Sequence, residues 1–186
     1  MKQFVEHLTS LSGLKLIERS PLLDERGFFT RLWCKEELRG IGWTEPICQI
    51  NYSYTKNKGA VRGMHFQKPP QAEMKFISCL RGEVFDVVVD LRRDSPTFLK
   101  WHGEVLSPKK NQSLLVPKGF AHGFQALSQD VELLYLHTAA YSPLHESGFL
   151  ADDPILGIKW PLAIVERSPR DESHSLVSND WKGLDI

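Results

Sequence analysis

Met74-Lys75-Phe76-Ile77-Ser78-Cys79-Leu80, then Arg81-Gly82, then Val84-Phe85-Asp86-Val87-Val88-Val89-Asp90-Leu91 is the stretch on which the reading of the fold turns. Two runs of strand length, dense in β-branched and aromatic residues, are separated by a glycine turn signal. Working outward, Cys48-Gln49-Ile50-Asn51-Tyr52-Ser53-Tyr54 alternates. Further short runs follow at Leu99–Leu106, Ser113–Val116, Gly123–Leu127 and Val131–Thr138. Turn signals divide them: Asp94-Ser95-Pro96, Pro108-Lys109-Lys110-Asn111, Pro117-Lys118-Gly119 and Ser128-Gln129-Asp130. The spacing of roughly 8–12 residues suits an antiparallel sandwich or barrel. Helical signal is confined to the flanks, where Lys35-Glu36-Glu37-Leu38-Arg39 predicts one short helix before Gly40. The tail after Tyr141 is Pro-rich and polar and reads as irregular. With no ten-residue helices alternating with strands, a parallel α/β sheet is not expected. The expectation is an all-β chain, a jelly-roll β-sandwich or barrel with short flanking helices and a lumen between its sheets for a ligand.

Composition sets the class. The chain has 186 residues, with 23 Lys plus Arg against 23 Asp plus Glu. That length predicts one domain over residues 1–186, able to bury a substantial core. Zero formal net charge argues against a nucleic-acid binder, which needs a basic surface to release counterions, but leaves room for a small anion held by local arginines. Met1 to Leu16 is broken by Lys2, Glu6, His7 and Lys15, so it reads as no signal peptide, and no apolar run approaches about 20 residues, so no membrane span is expected. Cys34, Cys48 and Cys79 are odd in number and widely spaced, as free thiols in a reducing cytoplasm would be.

The familiar hydrolase and nucleotide motifs are absent. There is no GxxxxGK[ST], Gly40-Ile41-Gly42 lacks a third glycine, no GxSxG occurs, and His145-Glu146 meets Phe149 where HExxH needs a histidine. Two segments carry chemistry instead: Gly59-Ala60-Val61-Arg62-Gly63-Met64-His65-Phe66-Gln67 with Glu73 and Lys75 after it, and Pro117-Lys118-Gly119-Phe120-Ala121-His122-Gly123-Phe124. On a strand Gly63, His65 and Gln67 share a face. Arg62 points the other way unless a bulge intervenes, which a flanking glycine permits.

These segments resemble the two cupin motifs, with Gln67 standing where the second metal histidine belongs. Over a longer stretch the chain resembles the dTDP-4-dehydrorhamnose 3,5-epimerase family, a cupin-type family of nucleotide-sugar epimerases. The resemblance runs from about residue 15 to 172 through Asp24-Glu25-Arg26-Gly27, Gln49-Ile50-Asn51, Arg62-Gly63-Met64-His65, Val84–Arg92, Gly119–Phe124, Asp152-Asp153-Pro154, Gly157–Pro161 and Ser168-Pro169-Arg170-Asp171. It implies inversion at C3, C5 or both, beside the ketone of a nucleotide-diphospho-4-keto-6-deoxysugar, in deoxysugar biosynthesis and with neither metal nor redox cofactor. His65 then matches the base; a free imidazole, with a pKa near 6.5, can take a carbon-bound proton at neutral pH. Asp171 matches its orienting carboxylate, Lys75 the group that steadies the enolate oxygen, and Tyr135 the proton donor. Arg26, Arg62 and Arg170 match diphosphate or sugar contacts, as do Gln49, Asn51, His122 and Glu146, while Tyr141 matches an aromatic that stacks on the nucleobase. Many members carry a glutamate where this chain has Arg31; the extra cation favours an anion nearby. A homodimer is expected through strand exchange or edge pairing.

Other readings stay open at this stage. A metal-dependent cupin isomerase or oxygenase would converge His65, His122 and Glu73 on iron or zinc, and a non-catalytic sugar-nucleotide-binding cupin would keep the arginines and Tyr141 alone. Glu73 reads as structural. Asp86 and Asp90, set among valines, need buried partners, for which Arg92 or a loop donor is the expectation. His122 could simply cap a turn. His7, His102, His137 and His174 carry no argument.

Overall fold

From its fourth residue the chain runs through short strands: β1 (Phe4–Leu8), β2 (Lys15–Arg19), β3 (Leu22–Asp24) and β4 (Gly27–Phe29), then the one-turn helix α1 (Lys35–Arg39). β5 (Gln49–Thr55), β6 (Val61–Gln67), β7 (Lys75–Arg81), β8 (Val84–Asp90) and β9 (Trp101–Leu106) follow. β10 (Gln112–Val116), β11 (Phe120–Ala126), β12 (Val131–His137), β13 (Glu146–Gly148) and the short helix α2 (Pro169–Glu172) complete the order. The computed structural model describes residues 3–186; Met1 and Lys2, where the N-terminal reading above begins, lie outside the described residues.

One sheet has the order β1-β2-β10-β7-β12-β5 and the other β13-β6-β11-β8-β9, while β3 and β4 form a separate hairpin. From β5 to β8, and again from β9 to β13, each connection crosses between the sheets. Arg81-Gly82-Glu83 is therefore a crossover between sheets, with Gly82 at a φ of +75°, and not the turn of a hairpin. This interleaving is the cupin-like jelly roll.

Alternation explains the packing. From β7 and β8, Ile77, Cys79, Val84 and Val88 point between the sheets, where they meet Leu114, Phe120, Phe124 and Leu133. Val87 and Val89 point to the opposite face and are covered by the tail through Phe149, Leu156, Ile158 and Val177. Both faces of β8 are thus dry, which accounts for its unbroken valine run; burying each such side chain contributes about 1.5–3 kcal/mol. On the outer face of the other sheet, Ile17, Phe76, Leu115 and Leu136 are covered by Leu38 of α1 and by Trp43. The tail after Tyr141 is irregular as expected except at β13 and at α2, where Ser168 caps the helix by accepting from the Asp171 N–H at 3.1 Å and Pro169 stands at its first position.

The core strands match the sequence reading closely, with β9 starting at Trp101 because Leu99 turns at a φ of +58°. Strands β1 to β4 and β13 were not foreseen. β3 and β4 are exposed throughout, so they carry no inside-outside alternation to read.

Candidate active site

Two polar walls face each other across a cavity of about 630 Å³ between the sheets. β6 supplies Arg62, His65 and Gln67, β11 supplies His122, and the opposite sheet supplies Gln49, Asn51 and Ser53 from β5, Lys75 from β7, and Tyr135 and His137 from β12. Arg62 and His65 reach the same cavity because β6 bulges: His122 pairs with His65, but Phe124 pairs with Arg62, so β6 holds one extra residue. Gly63 makes this possible. Its φ is +113°, and a Cβ there would lie 2.6 Å from the Gly123 Cα.

His65 donates from Nε2 to Asp171 Oδ1 at 2.7 Å. Asp171 Oδ2 accepts the Gly63 N–H at 3.1 Å, so the carboxylate holds both the ring and the bulge that presents it. Burial works against the charged carboxylate, yet the hydrogen bonds from His65 and Gly63 outweigh it and bring Asp171 down to about 2. Tyr135 donates to or accepts from Ser53 Oγ at 3.1 Å. Burial pushes its phenol well above the ordinary tyrosine value, against the Ser53 hydrogen bond.

Lys75 lies between the walls: its Nζ is 3.4 Å from the His65 carbonyl oxygen, to which it donates, and 3.3 Å from Glu73 Oε1. Burial raises Glu73, but His137 and Lys75 more than offset it, so the carboxyl stays ionised below its usual range. Glu73, read from the sequence as structural, is the counter-ion of the cavity lysine. His122 lies within β11 and caps no turn. It donates from Nε2 to Asp86 at 2.9 Å, and burial lowers its pKa despite that partner. Asp86 thus takes His122 as its partner, not Arg92 or a loop donor; Arg92 pairs with Asp90 at 2.7 Å, as foreseen for that residue.

At the outer end Arg170 pairs with Glu146 at 3.1 Å, and the Tyr141 hydroxyl donates to Glu146 Oε2 at 2.8 Å. The Tyr141 N–H donates to Gln49 Oε1 at 2.9 Å, and the Gln49 amide donates to Asn51 at 2.9 Å. Arg62 donates to Thr55 Oγ1 and the Tyr54 carbonyl at 2.9 and 3.0 Å. Eleven of the twelve residues singled out from the sequence thus line one cavity. Arg26 does not: it sits at the tip of the β3–β4 hairpin, paired with Asp24 at 2.6 Å. Arg31 pairs with Glu37 of α1, away from the cavity.

The cupin metal set does not form. His122 is tied to Asp86 and Glu73 to Lys75, and both ends of the Gln67 amide are engaged: the nitrogen donates to Glu73 at 2.7 Å and the oxygen accepts the Ser142 N–H at 2.7 Å. Among the described residues the one converging donor group is His65, Asp171 and His174. Residues the sequence left without a role include His137, which stacks on Tyr135 with centroids 6.2 Å apart, and Ser53. Asp86 carried a legible signal as a carboxylate inside a valine run.

The profile of the dTDP-4-dehydrorhamnose 3,5-epimerase family matches residues 8–179. The chain belongs to this family. It is 41% identical over 173 residues to the dTDP-4-dehydrorhamnose 3,5-epimerase of Salmonella typhimurium, covering 91% of this chain and 93% of that one. The Bacillus anthracis dTDP-4-dehydrorhamnose 3,5-epimerase, solved with TDP and PPi bound, superposes with a TM-score of 0.91 at 41% identity over 94% of this chain and 99% of that one. A 3'-monoepimerase of Streptomyces bikiniensis in complex with dTDP-quinovose gives a TM-score of 0.85 at 32% identity, covering 91% of this chain and 86% of that one. The protein is thus an isomerase, a sugar epimerase of deoxysugar biosynthesis. Among the described residues no helix is long and apolar enough to cross a membrane.

Proposed function

We propose that this epimerase inverts C3 and C5 of a dTDP-linked 4-keto-6-deoxysugar, using His65 as base and Tyr135 as acid. The observation that carries the reading is that His65 and Tyr135 line one cavity from different sheets, as inversion requires: a proton leaves one face of the sugar and another arrives at the opposite face. With Nε2–H given to Asp171, the lone pair that accepts the carbon-bound proton is on His65 Nδ1, and Asp171 then stabilises the imidazolium. Lys75, paired with Glu73 at 3.3 Å, stabilises the enolate oxygen. The phenol of Tyr135 gives its proton to the carbanionic carbon, and Ser53 supports the phenolate.

Arg62 and Arg170 bind the diphosphate, with Gln49, Asn51, His122 and Glu146 placing the sugar, and Tyr141 stacks on the base. The chemistry takes no cofactor. The domain is single and cytoplasmic, and it works as a homodimer. Support for the dimer is apolar exposure: Leu22, Leu23, Phe28 and Phe29 on the hairpin, and Ile50, Tyr52 and Tyr54 on the outer face of β5. Arg26 rides on that hairpin and so serves a second copy's cavity.

The test is NMR of the protein with dTDP-4-keto-6-deoxyglucose in deuterated water. Deuterium at both C3 and C5 with inversion is the expected result. Deuterium at C3 alone would make this a 3-epimerase, and none at either carbon would overturn the substrate assignment. Light scattering on the same sample should return the mass of a dimer.

A further inference from the structure

His174 has no part in the chemistry above, yet its ring is pinned beside the base. It follows α2, and the next residue, Ser175, bridges to Phe149 just after β13. The ring packs edge-on against His65, with centroids 5.5 Å apart at 71°. Gly148, opposite His65 in the β13–β6 register, makes the space: a Cβ there would lie 2.4 Å from His174 Nε2. That nitrogen is buried and has no hydrogen-bond partner. Its nearest acidic oxygen, Asp171 Oδ1, is 4.0 Å away, beyond hydrogen-bonding reach. A buried ring nitrogen without a partner is uncommon and calls for a reason.

We propose that His65 Nε2, Asp171 Oδ1 and His174 Nε2 form a binding site for a divalent ion of the zinc class, and that its occupation switches the epimerase off. The three donor atoms lie within 4.8 Å of one another. Two imidazoles and a carboxylate, bonding at about 2.0–2.2 Å with a fourth position open to water, are a zinc donor set. Asp171 Oδ1 already lies 2.7 Å from His65 Nε2 and 4.0 Å from His174 Nε2. The site differs from the cupin metal set, sharing with it His65 alone.

Its effect on catalysis follows from the ring's tautomers. A neutral imidazole that gives its Nε2 lone pair to a metal carries its hydrogen on Nδ1, so the nitrogen that should take the substrate proton is blocked. Arg170 opposes the ion: its guanidinium is 3.2 Å from His65 Nε2 and 3.9 Å from Asp171 Oδ1. That side chain is half-exposed and pairs with Glu146, so it can withdraw without losing its partner.

Titration calorimetry of the metal-free full chain with Zn²⁺ at neutral pH tests the site without reference to any substrate, so its outcome is separable from that of the epimerase assignment. The expected result is one ion per chain, with His174→Ala and the ring-preserving His174→Phe each weakening binding by roughly 10²-fold or more. Arg170→Ala should tighten it by about tenfold through removal of the opposing charge. In the presence of chelator the His174 variants should turn over at the wild-type rate, and on addition of Zn²⁺ they should resist the inhibition that the wild type suffers. Zinc binding or inhibition that is unchanged in His174→Phe, or no stoichiometric binding to the wild type, would overturn the proposal.

Discussion

His65 and Tyr135 face the same cavity from different sheets, and their surroundings share almost nothing. His65 is fastened by a carboxylate that also fastens the backbone of its own bulge, through Asp171 to the ring and to Gly63. Tyr135 is half-buried, shares one hydrogen bond with a hydroxyl, packs against His122 and His137, and has its acidity set by loss of water. In the proposed mechanism, one wall fixes the proton acceptor by hydrogen bonds to a carboxylate, and the other holds the proton donor protonated by desolvation. The contrast suits a reaction in which base and acid must not exchange roles before the substrate arrives.

The largest effect should come from the base. His65→Asn is expected to lower kcat by about 10⁴-fold with KM little changed, as removal of a general base does, measured by coupled assay. A loss of less than about tenfold would give the abstraction to another group.

The next effect sharpens the role of the network. Asp171→Asn keeps the shape but cannot stabilise an imidazolium, and a loss of roughly 10²-fold in kcat is expected. It should also change the acid limb of stability. Asp171 titrates at about 2 in the folded chain, below an unfolded carboxyl near 3.9. A lowered folded value means that the stabilisation is complete above the unfolded pKa and is lost as pH falls towards the folded one. Thermal melts taken between about pH 5 and about pH 2 should therefore fall more steeply for the wild type than for Asp171→Asn; parallel curves would show that the His65–Asp171 pair contributes nothing to folding.

The smallest effect concerns the lysine between the walls. Glu73→Gln removes the counter-ion of Lys75 while keeping its volume, and a loss of roughly tenfold in kcat/KM is expected from one charged hydrogen bond. An unchanged kcat/KM would mean that Lys75 holds its position without Glu73.

The same contrast governs how much could be read from the chain. The jelly roll was legible because β7, β8 and β12 carry strong apolar patterns, and the Arg62-Gly63 pair announced the bulge that aims Arg62 and His65 together. The other half of the base network was not legible from pattern: Asp171 lies 106 residues beyond His65 and was recognised through family resemblance alone. Glu73 was read as structural because its partner His137 meets it only once β7 and β12 pair. His122 was expected to hold substrate, and the chain also engages it with Asp86, whose place in a valine run signalled a buried partner without naming one. The β3–β4 hairpin escaped notice since every residue in its strands is exposed. Arg26 on that hairpin matched the family yet lies outside its own chain's cavity, which no reading of a single sequence can locate.

The division of labour between the walls is tested most directly by Tyr135→Phe in deuterated water, with proton NMR following both exchange and configuration at the carbons beside the ketone. The account predicts that the variant still washes deuterium into the substrate, because His65 and Asp171 are intact, but returns it to the same face, so that exchange proceeds with inversion reduced by about 10²-fold. Exchange and inversion surviving together would contradict the account by removing Tyr135 as the acid, and their disappearance together would place proton abstraction itself on the tyrosine wall.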